Sequence, residues 1–269
     1  MEEEATGIEE VAEEDTGTRL KAYFRGSGTG RKVIYALRRY LESLQRLHRM
    51  PFSYKVEAAF LPEQMWGEGW KLFFKPVQVT SRIVVGPPWA MVRLKKGLVF
   101  VEINPGVAFG TGTHPTTKLC IRALDKKLRA KGKTVLDVGT GSGVLSIVAA
   151  RLGAREVWGI DTDGASVENA RENVERNAVA HLIRIRRGSI GSIRRRFDVV
   201  VANNDLKVLR RMKSPFLRRL NPRGLLILSG ILQRDVAGIR TSYLETGQFA
   251  VGKVFCEEEW ACLIFQKRT

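Results

Sequence analysis

The second half of the chain alternates short apolar runs with amphipathic segments, and this order constrains the fold more than any other feature. Strand-like runs occur at 134–138, 156–161, 182–187, 197–203 and 224–230. Segments with helical periodicity follow or lie between them, at 116–130, 143–153, 164–178, 206–220 and 233–245. Strands that alternate with helices predict a parallel sheet with helices on both faces.

The last two predicted strands are joined differently. They cover 249–256 and 260–267, and only the three glutamates 257–259 lie between them. A parallel crossover needs about a dozen residues, so these strands are expected to form an antiparallel hairpin. The fold class predicted from the pattern is therefore α/β, with a seven-stranded, mostly parallel sheet that ends in an antiparallel C-terminal hairpin.

A glycine-rich turn, LDVGTGSG, follows the first strand of this series. It places Asp137 before Gly139, Gly141 and Gly143. Glycines allow close approach of a ligand, and the next helix directs its amides at the same place. The spacing departs from the dinucleotide pattern G-x-G-x-x-G, because Val144 stands at its sixth position. A carboxylate at Asp137 would repel a pyrophosphate but suits the amine of S-adenosylmethionine, which the sequence favours over NAD.

Polar residues end the next strands as well. Asp161 closes the strand EVWGID and is a candidate acceptor for ribose hydroxyls. Asp163 is a better candidate for the cap of the following helix. Asn203 ends the strand FDVVVAN and is a candidate catalytic residue, with a simple turn role as the alternative. The following residues lack the Pro-Pro-aromatic motif typical of methylation at planar nitrogens.

Taken together, these pieces resemble the PrmA family, the methyltransferases of large-subunit ribosomal protein L11. The matching stretches are 104–120 (NPGVAFGTGTHPTTKLC), 135–154, 159–163, 168–177, 198–203, 228–232 and 257–260, with a weaker match over 7–65. The resemblance implies a class I S-adenosylmethionine-dependent methyltransferase that methylates lysine side chains and an N-terminal amine of that ribosomal protein. It places the donor at Thr117, Gly139, Asp161 and Asn203, with Phe109 and Gly141 beside them.

The stretch NPGVAFGTGTHPTT is then interpreted as a second wall of the donor pocket. Phe109 is expected to face the donor, and the hydroxyls of Thr116 and Thr117 are expected to cap the helix that follows. His114 is a candidate general base by residue type, although a structural role before Pro115 is favoured. No metal site is expected.

Two departures from the family are visible. The N-terminal substrate-recognition unit is expected to be shorter than the family's, and ANNDL replaces an apolar residue after Asn203. The expected organisation is an acidic flexible head (1–17), a small, truncated α/β unit (18–65), a linker (66–100) and a catalytic domain (101–269).

Charge and cysteine usage indicate partners and location. The formal charge is +17, and the first fifteen residues hold eight acids and no Lys or Arg. The remaining residues therefore carry a charge of +25, which suits contact with ribosomal RNA or is a solvated basic surface. Three unpaired cysteines, no apolar span and no signal segment favour the cytoplasm, with Cys256 and Cys262 expected as buried thiols. The oligomeric state is open.

Two other functions stay open. The basic body also suits an RNA methyltransferase, and the short N-terminal unit also suits a binding module without activity. Methylation of another protein lysine is a third alternative.

Overall fold

A computed structural model describes residues 7–13, 17–23, 34–42, 55–57, 74–90, 92–93, 95–104, 112–128 and 132–269. The chain divides into two compact units, Met1–Trp70 and Lys71–Thr269.

The first unit contains a β-hairpin. Strand β1 (Gly7–Glu13) pairs antiparallel with β2 (Gly17–Tyr23), in a register that sets Glu9 opposite Lys21. Residues 34–42 form helix α1, inside the small α/β unit predicted over 18–65. The expectation of a flexible head over 1–17 is therefore wrong for 7–13, because the backbone of this acidic segment pairs with the strand after it.

The second unit begins with a small sheet of three strands. Strand β4 (Ile83–Gly86) pairs antiparallel with β3 (Val77–Gln78) and parallel with β5 (Val99–Glu102). Ile83 and Val101 are fully buried in the same core as the main sheet's residues. Three residues of the predicted linker, Val79, Ile83 and Val85, thus belong to the core of the second unit.

The main sheet has seven strands in the order β11-β12-β10-β9-β6-β7-β8. They are β6 (Thr134–Val138), β7 (Glu156–Asp161), β8 (Ile183–Arg187), β9 (Phe197–Asn203), β10 (Leu220–Leu232), β11 (Phe249–Glu257) and β12 (Trp260–Lys267). Pairing is parallel from β8 to β10, and β12 pairs antiparallel with both β10 and β11. The predicted parallel sheet and C-terminal hairpin are confirmed.

Helices cover both faces of this sheet. The helices are α2 (Pro115–Lys127), α3 (Val144–Arg151), α4 (Gly164–Arg176), α5 (Leu206–Arg211), α6 (Lys213–Arg219) and α7 (Val236–Leu244). The first three pack on one face together with the small sheet, and the last three pack on the other face. The single helix predicted over 206–220 is two helices that meet at Met212, three residues before Pro215.

The positions of the cysteines test the expectation that Cys256 and Cys262 are buried thiols. Cys262 and Cys120 are buried, whereas Cys256 is exposed on β11, so the prediction of a buried thiol at Cys256 is wrong. β11 is an edge strand, and alternate side chains on an edge strand face water.

Among the helices that the structure describes, none has both the length and the apolar character that a membrane span requires.

Candidate donor-binding site

Three parallel strands end side by side at the edge of the sheet where the predicted site residues lie. β6 is flanked by β7 and β9, and these strands end at Val138, Asp161 and Asn203. In open parallel sheets, ligands bind outside the carboxyl ends of the strands. The topology therefore brings together residues that are far apart in the sequence.

The loop after β6 is fastened to the end of β7. The amides of Gly139 and Thr140 donate to the carbonyl of Ile160 at 2.9 and 3.0 Å. The amide of Gly141 donates to Oδ2 of Asp161 at 3.0 Å. Gly139, Gly141 and Gly143 all have positive φ, and Gly143 is the N-cap of α3. These bonds hold the loop open toward the strand ends, with the N-terminus of α3 behind it.

Asp137 lies fully buried beneath this loop. Its Oδ2 accepts hydrogen bonds from the hydroxyls of Thr140 (2.7 Å) and Ser146 (2.8 Å). Its Oδ1 is the one buried side-chain N or O atom, among the residues described, without a hydrogen-bond partner. Burial raises the pKa of Asp137 to about 6, against the lowering effect of the two hydroxyls. An unpartnered acidic oxygen at this place suits a cationic ligand group.

Asp161 uses both of its oxygens on backbone amides. Oδ2 accepts from Gly141, and Oδ1 accepts from the amide of Asp163 at 3.1 Å. Each carboxylate oxygen has a second lone pair, so the group can still accept hydroxyls. Asp163 caps α4 through the amides of Ala165 and Ser166, as predicted.

Asn203 connects β9 to the start of α2. Its Nδ2 donates to Oγ1 of Thr116 at 3.1 Å and approaches Oγ1 of Thr117 at 3.4 Å. Both threonines are almost completely buried. The structure thus brings two of the predicted donor residues, Thr117 and Asn203, into contact.

His114 is the N-cap of α2. Its Nδ1 accepts from the amide of Thr116 at 3.3 Å and lies 2.8 Å from the hydroxyl of that residue. The expectation that the hydroxyls of Thr116 and Thr117 cap this helix is therefore wrong. The imidazole of His114 accepts the hydrogen bond from the amide of Thr116, and both hydroxyls lie near Nδ2 of Asn203. Pro115 opens the helix as predicted.

The same imidazole packs against the C-terminal hairpin. The rings of His114 and Trp260 meet edge to face, 5.3 Å apart. Burial lowers the pKa of His114, an effect opposed by Glu258 and Glu259 and reinforced by Lys118. Glu257, predicted to lie between the last two strands, is the last residue of β11 and pairs with Arg122 of α2 at 2.6 Å.

Asn204 was noted in the sequence only as a departure from the family, yet it supports the loop. Its Nδ2 donates to the carbonyl of Val138 at 2.8 Å, and its amide donates to the carbonyl of Ser229 at 3.2 Å. A Cβ on Gly139 would lie 2.7 Å from Oδ1 of Asn204, and one on Gly230 would lie 2.3 Å from its carbonyl oxygen. Two glycines with positive φ therefore make room for this asparagine.

A second asparagine, Asn173 of α4, joins the two glycine-rich stretches. Its Nδ2 donates to the carbonyl of Ser142 at 2.9 Å, and its Oδ1 accepts from the amide of Asn104 at 2.9 Å. One helical turn later, Asn177 bonds both the amide and the carbonyl of Glu102. In the sequence, this role is indicated only by the spacing of Asn173 and Asn177, which lie four residues apart in a predicted helix and so on the same helical face.

One predicted donor residue, Phe109, lies outside the described residues. In the described part of the chain, no group of three or more His, Cys, Asp or Glu side chains is arranged to hold a metal ion.

Solved structures share this architecture. The ribosomal protein L11 methylase of Lactobacillus delbrueckii subsp. bulgaricus is 28% identical with a TM-score of 0.67, over 72% of this chain and 99% of that one. A methyltransferase from Pyrococcus furiosus, at 22% identity and a TM-score of 0.54, shares the fold over 63% of this chain and 90% of its own. The sheet order, the glycine loop and these likenesses define a class I S-adenosylmethionine-dependent methyltransferase.

Sequence comparison narrows the class to a family. The family model described as ribosomal protein L11 methyltransferase (PrmA) matches residues 1–268. The ribosomal protein L11 methyltransferase of Heliobacterium modesticaldum is 38% identical over 250 residues, 93% of this chain and 78% of that protein. That of Pelotomaculum thermopropionicum is 39% identical over 261 residues, 97% of this chain and 83% of its own. The chain belongs to the PrmA family.

Proposed function

We propose that this chain transfers methyl groups from S-adenosylmethionine to amines of ribosomal protein L11, namely lysine side chains and the N-terminal amine. The observation that supports this most is the meeting of the glycine loop, Asp161, Thr117 and Asn203 at one sheet edge in a chain of the PrmA family. The protein substrate is inferred from the relatives, which are named as methyltransferases of ribosomal protein L11.

The residues at this edge fit the donor chemically. The unpartnered Oδ1 of Asp137 suits the donor's ammonium group, and Asp161 suits its ribose hydroxyls. We propose that the donor-binding set is Phe109, Thr117, Asp137, Gly139, Gly141, Gly143, Asp161 and Asn203. The positive φ of the three glycines sets the turn of the loop beside the strand ends, and α3 directs its N-terminus at the same place.

The reaction asks for alignment and for a neutral acceptor amine. When bound, the donor would supply a methyl group on a cationic sulfur. The neutral amine nitrogen would form a bond to the methyl carbon in line with the breaking C–S bond, the thioether would leave with the bonding electrons, and the methylated amine would release its proton to water. A lysine ammonium, with a pKa of about 10.4 in water, must first lose a proton. Burial next to a positive charge favours the neutral amine. The protein's task is to hold both partners and exclude water.

Asn203 and His114 take different roles in this proposal. Asn203 ends β9 beside the donor loop, and we propose that its side-chain carbonyl accepts a hydrogen bond from the acceptor amine. His114, the other predicted catalytic candidate, holds the start of α2. Because burial lowers its pKa, it is neutral near pH 7 and its ring keeps an acceptor nitrogen for the cap.

Three further parts of the proposal concern recognition and location. The unit Met1–Trp70 is proposed to recognise the protein substrate, in keeping with the expected role of residues 18–65. Contact with ribosomal RNA is proposed from the formal charge of +17. The cytoplasm is the proposed location.

Methyl transfer from labelled S-adenosylmethionine tests the proposal. The full chain is incubated with unmethylated L11 and, separately, with large-subunit ribosomal RNA, and mass spectrometry locates modified lysines. We expect label in the protein and little in the RNA, and we expect Asn203→Ala to reduce the rate by at least tenfold. Label in RNA alone would replace the proposal with an RNA methyltransferase, and a chain that does not bind the donor in calorimetry would be a binding module.

A further inference from the structure

Three arginine-rich runs that are separate in the sequence meet on one surface. Arg184 and Arg186 are exposed on the edge strand β8, and Arg195 and Arg196 are exposed in the segment before β9. Arg218 and Arg219 end α6, just before β10. We call the surface formed by Arg184, Arg186, Arg195, Arg196, Arg218 and Arg219 the arginine face.

An aromatic ring lies among the first of these guanidinium groups. The guanidinium carbons of Arg184, Arg186 and Arg195 lie 5.8, 5.5 and 5.9 Å from the ring centre of Trp158. The ring is half-buried on β7, edge to face with Phe197. Three cations within cation–π distance of one partly exposed indole form a compact cluster.

The arginine face is open because the crossover from β8 to β9 contains no α-helix. Residues 188–196 form only a short 3-10 turn, Ile190–Ser192. Ile183 and Ile185 point into the core under α2, α3 and α4. By strand alternation, Arg184 and Arg186 point to the opposite face, where the short crossover leaves them in water.

The positive charge of the arginine face exceeds the acidic charge around it. Among the ion pairs of the described residues, Glu156 alone neutralises arginines of this face, at 2.7 Å from Arg195 and 3.7 Å from Arg184. Burial, followed by the charges of Arg218 and Arg196, lowers the pKa of Arg219. Burial and Arg196 likewise lower the pKa of Lys267 at the end of β12. Cations that repel one another favour an anionic partner.

We propose that the arginine face binds the phosphate backbone of RNA, as a docking surface separate from the methyl-transfer site. Arginine forks bind phosphate oxygens in pairs, and an exposed indole can stack on a base or on a bound guanidinium. The proposal assigns a surface to the RNA contact proposed above, and it does not depend on which protein is methylated.

Four of the six arginines lie at the end of the sheet opposite the acceptor site. Arg196 and Arg219 precede the first residues of β9 and β10, whereas Asn203 ends β9. β9 has 7 residues, so the two edges lie about 20 Å apart at 3.3 Å per residue. RNA held on these four arginines is therefore distant from the acceptor site, whereas Arg186 pairs with Ile160, one residue before the end of β7.

Binding of a short fluorescein-labelled RNA hairpin, followed by anisotropy over a series of salt concentrations, tests the proposal. The variant Arg184→Gln/Arg186→Gln removes two charges of the face next to Trp158. We expect binding to weaken about tenfold near 0.1 M salt, and the slope of log K against log salt to fall by about one to two. The matched control Arg171→Gln/Arg176→Gln removes two exposed charges from α4, on the other side of the sheet.

The outcomes separate this proposal from others. Equal weakening in both double variants would overturn it, because binding would then follow net charge alone. Tight binding to phosphatidylserine vesicles with no binding to RNA would overturn it in favour of a membrane surface. Methyl transfer to free L11, assayed without RNA, should be unchanged in Arg184→Gln/Arg186→Gln. Loss of RNA binding with intact methylation therefore leaves the methyltransferase proposal standing.

Discussion

The side chain of Asn204 donates a 2.8 Å hydrogen bond to the carbonyl of Val138, across the ends of two neighbouring strands. This bond ties the residue after β9 to the residue before the glycine loop. The loop that we propose as the donor's main contact is thus held by the end of β9 as well as by the end of β7.

The variant Asn204→Ala should weaken donor binding. Losing one partly buried hydrogen bond costs about 1 kcal/mol, which corresponds to roughly fivefold in the Kd of S-adenosylmethionine measured by calorimetry. The neighbouring Asp205→Ala is the control, since Asp205 is exposed and its side chain makes no cap bond to α5. Equal Kd values for the two variants would show that Asn204 does not position the loop.

Replacing Gly139 should destabilise the folded chain. Gly139→Ala places a Cβ at a φ of +73 and 2.7 Å from Oδ1 of Asn204, so we expect a loss of about 2 kcal/mol in urea unfolding. In an Asn204→Ala background the clash is gone and only backbone strain is left, about 1 kcal/mol. A loss of the same size in both backgrounds would contradict the contact between the two side chains.

Thr117 offers a test of the second wall of the pocket. Thr117→Ala removes a buried hydroxyl next to Asn203 and should raise the Kd for S-adenosylmethionine about tenfold. Thr117→Ser keeps the hydroxyl and should stay within about twofold of the unchanged chain. If the alanine variant binds as tightly as the serine variant, the hydroxyl has no part in donor binding.

Donor affinity should depend on pH through Asp137. Burial raises its pKa to about 6, so the free protein protonates this group more readily than the unfolded chain does. The raised pKa of Asp137 therefore adds to the free energy of unfolding below the ordinary pKa of 3.8, and this contribution is lost as the pH rises through about 6. An ammonium ligand needs the carboxylate, so affinity should be full above pH 6 and fall about tenfold per unit below it. The variant Asp137→Asn should bind S-adenosylmethionine weakly, with an affinity that no longer depends on pH. If its affinity still falls below pH 6 as in the unchanged chain, another group causes the pH dependence.

His114 can be tested as a cap and as a base at once. His114→Ala should lower the unfolding free energy by about 1 kcal/mol, because α2 loses its cap. Asparagine also caps helices well, so His114→Asn should restore most of that stability. We expect it to keep kcat and the pH profile of methyl transfer too. A stable His114→Asn chain with kcat reduced a hundredfold would instead identify His114 as the base.

Local pattern was enough to predict much of this molecule. The seven strands of the main sheet, the C-terminal hairpin and the Asp163 cap follow from periodicity, loop length and residue type. The roles of Asn204 and Asn173 do not, because their bonds span 66 and 31 residues and depend on which strands lie side by side. Convergence of the arginine runs depends in the same way on the sheet order. The hairpin at 7–13 was missed because its high acid content suggested a solvated tail.

The bridge that Asn173 makes between Ser142 and Asn104 means that the two glycine-rich stretches form a single exchangeable part. Both partners are backbone atoms, so a chimera that shifts either stretch relative to this α4 would lose one of the two bonds. Engineering of donor or acceptor preference in this family should therefore transfer residues 104–117, the loop after β6 and the segment of α4 that carries Asn173 together.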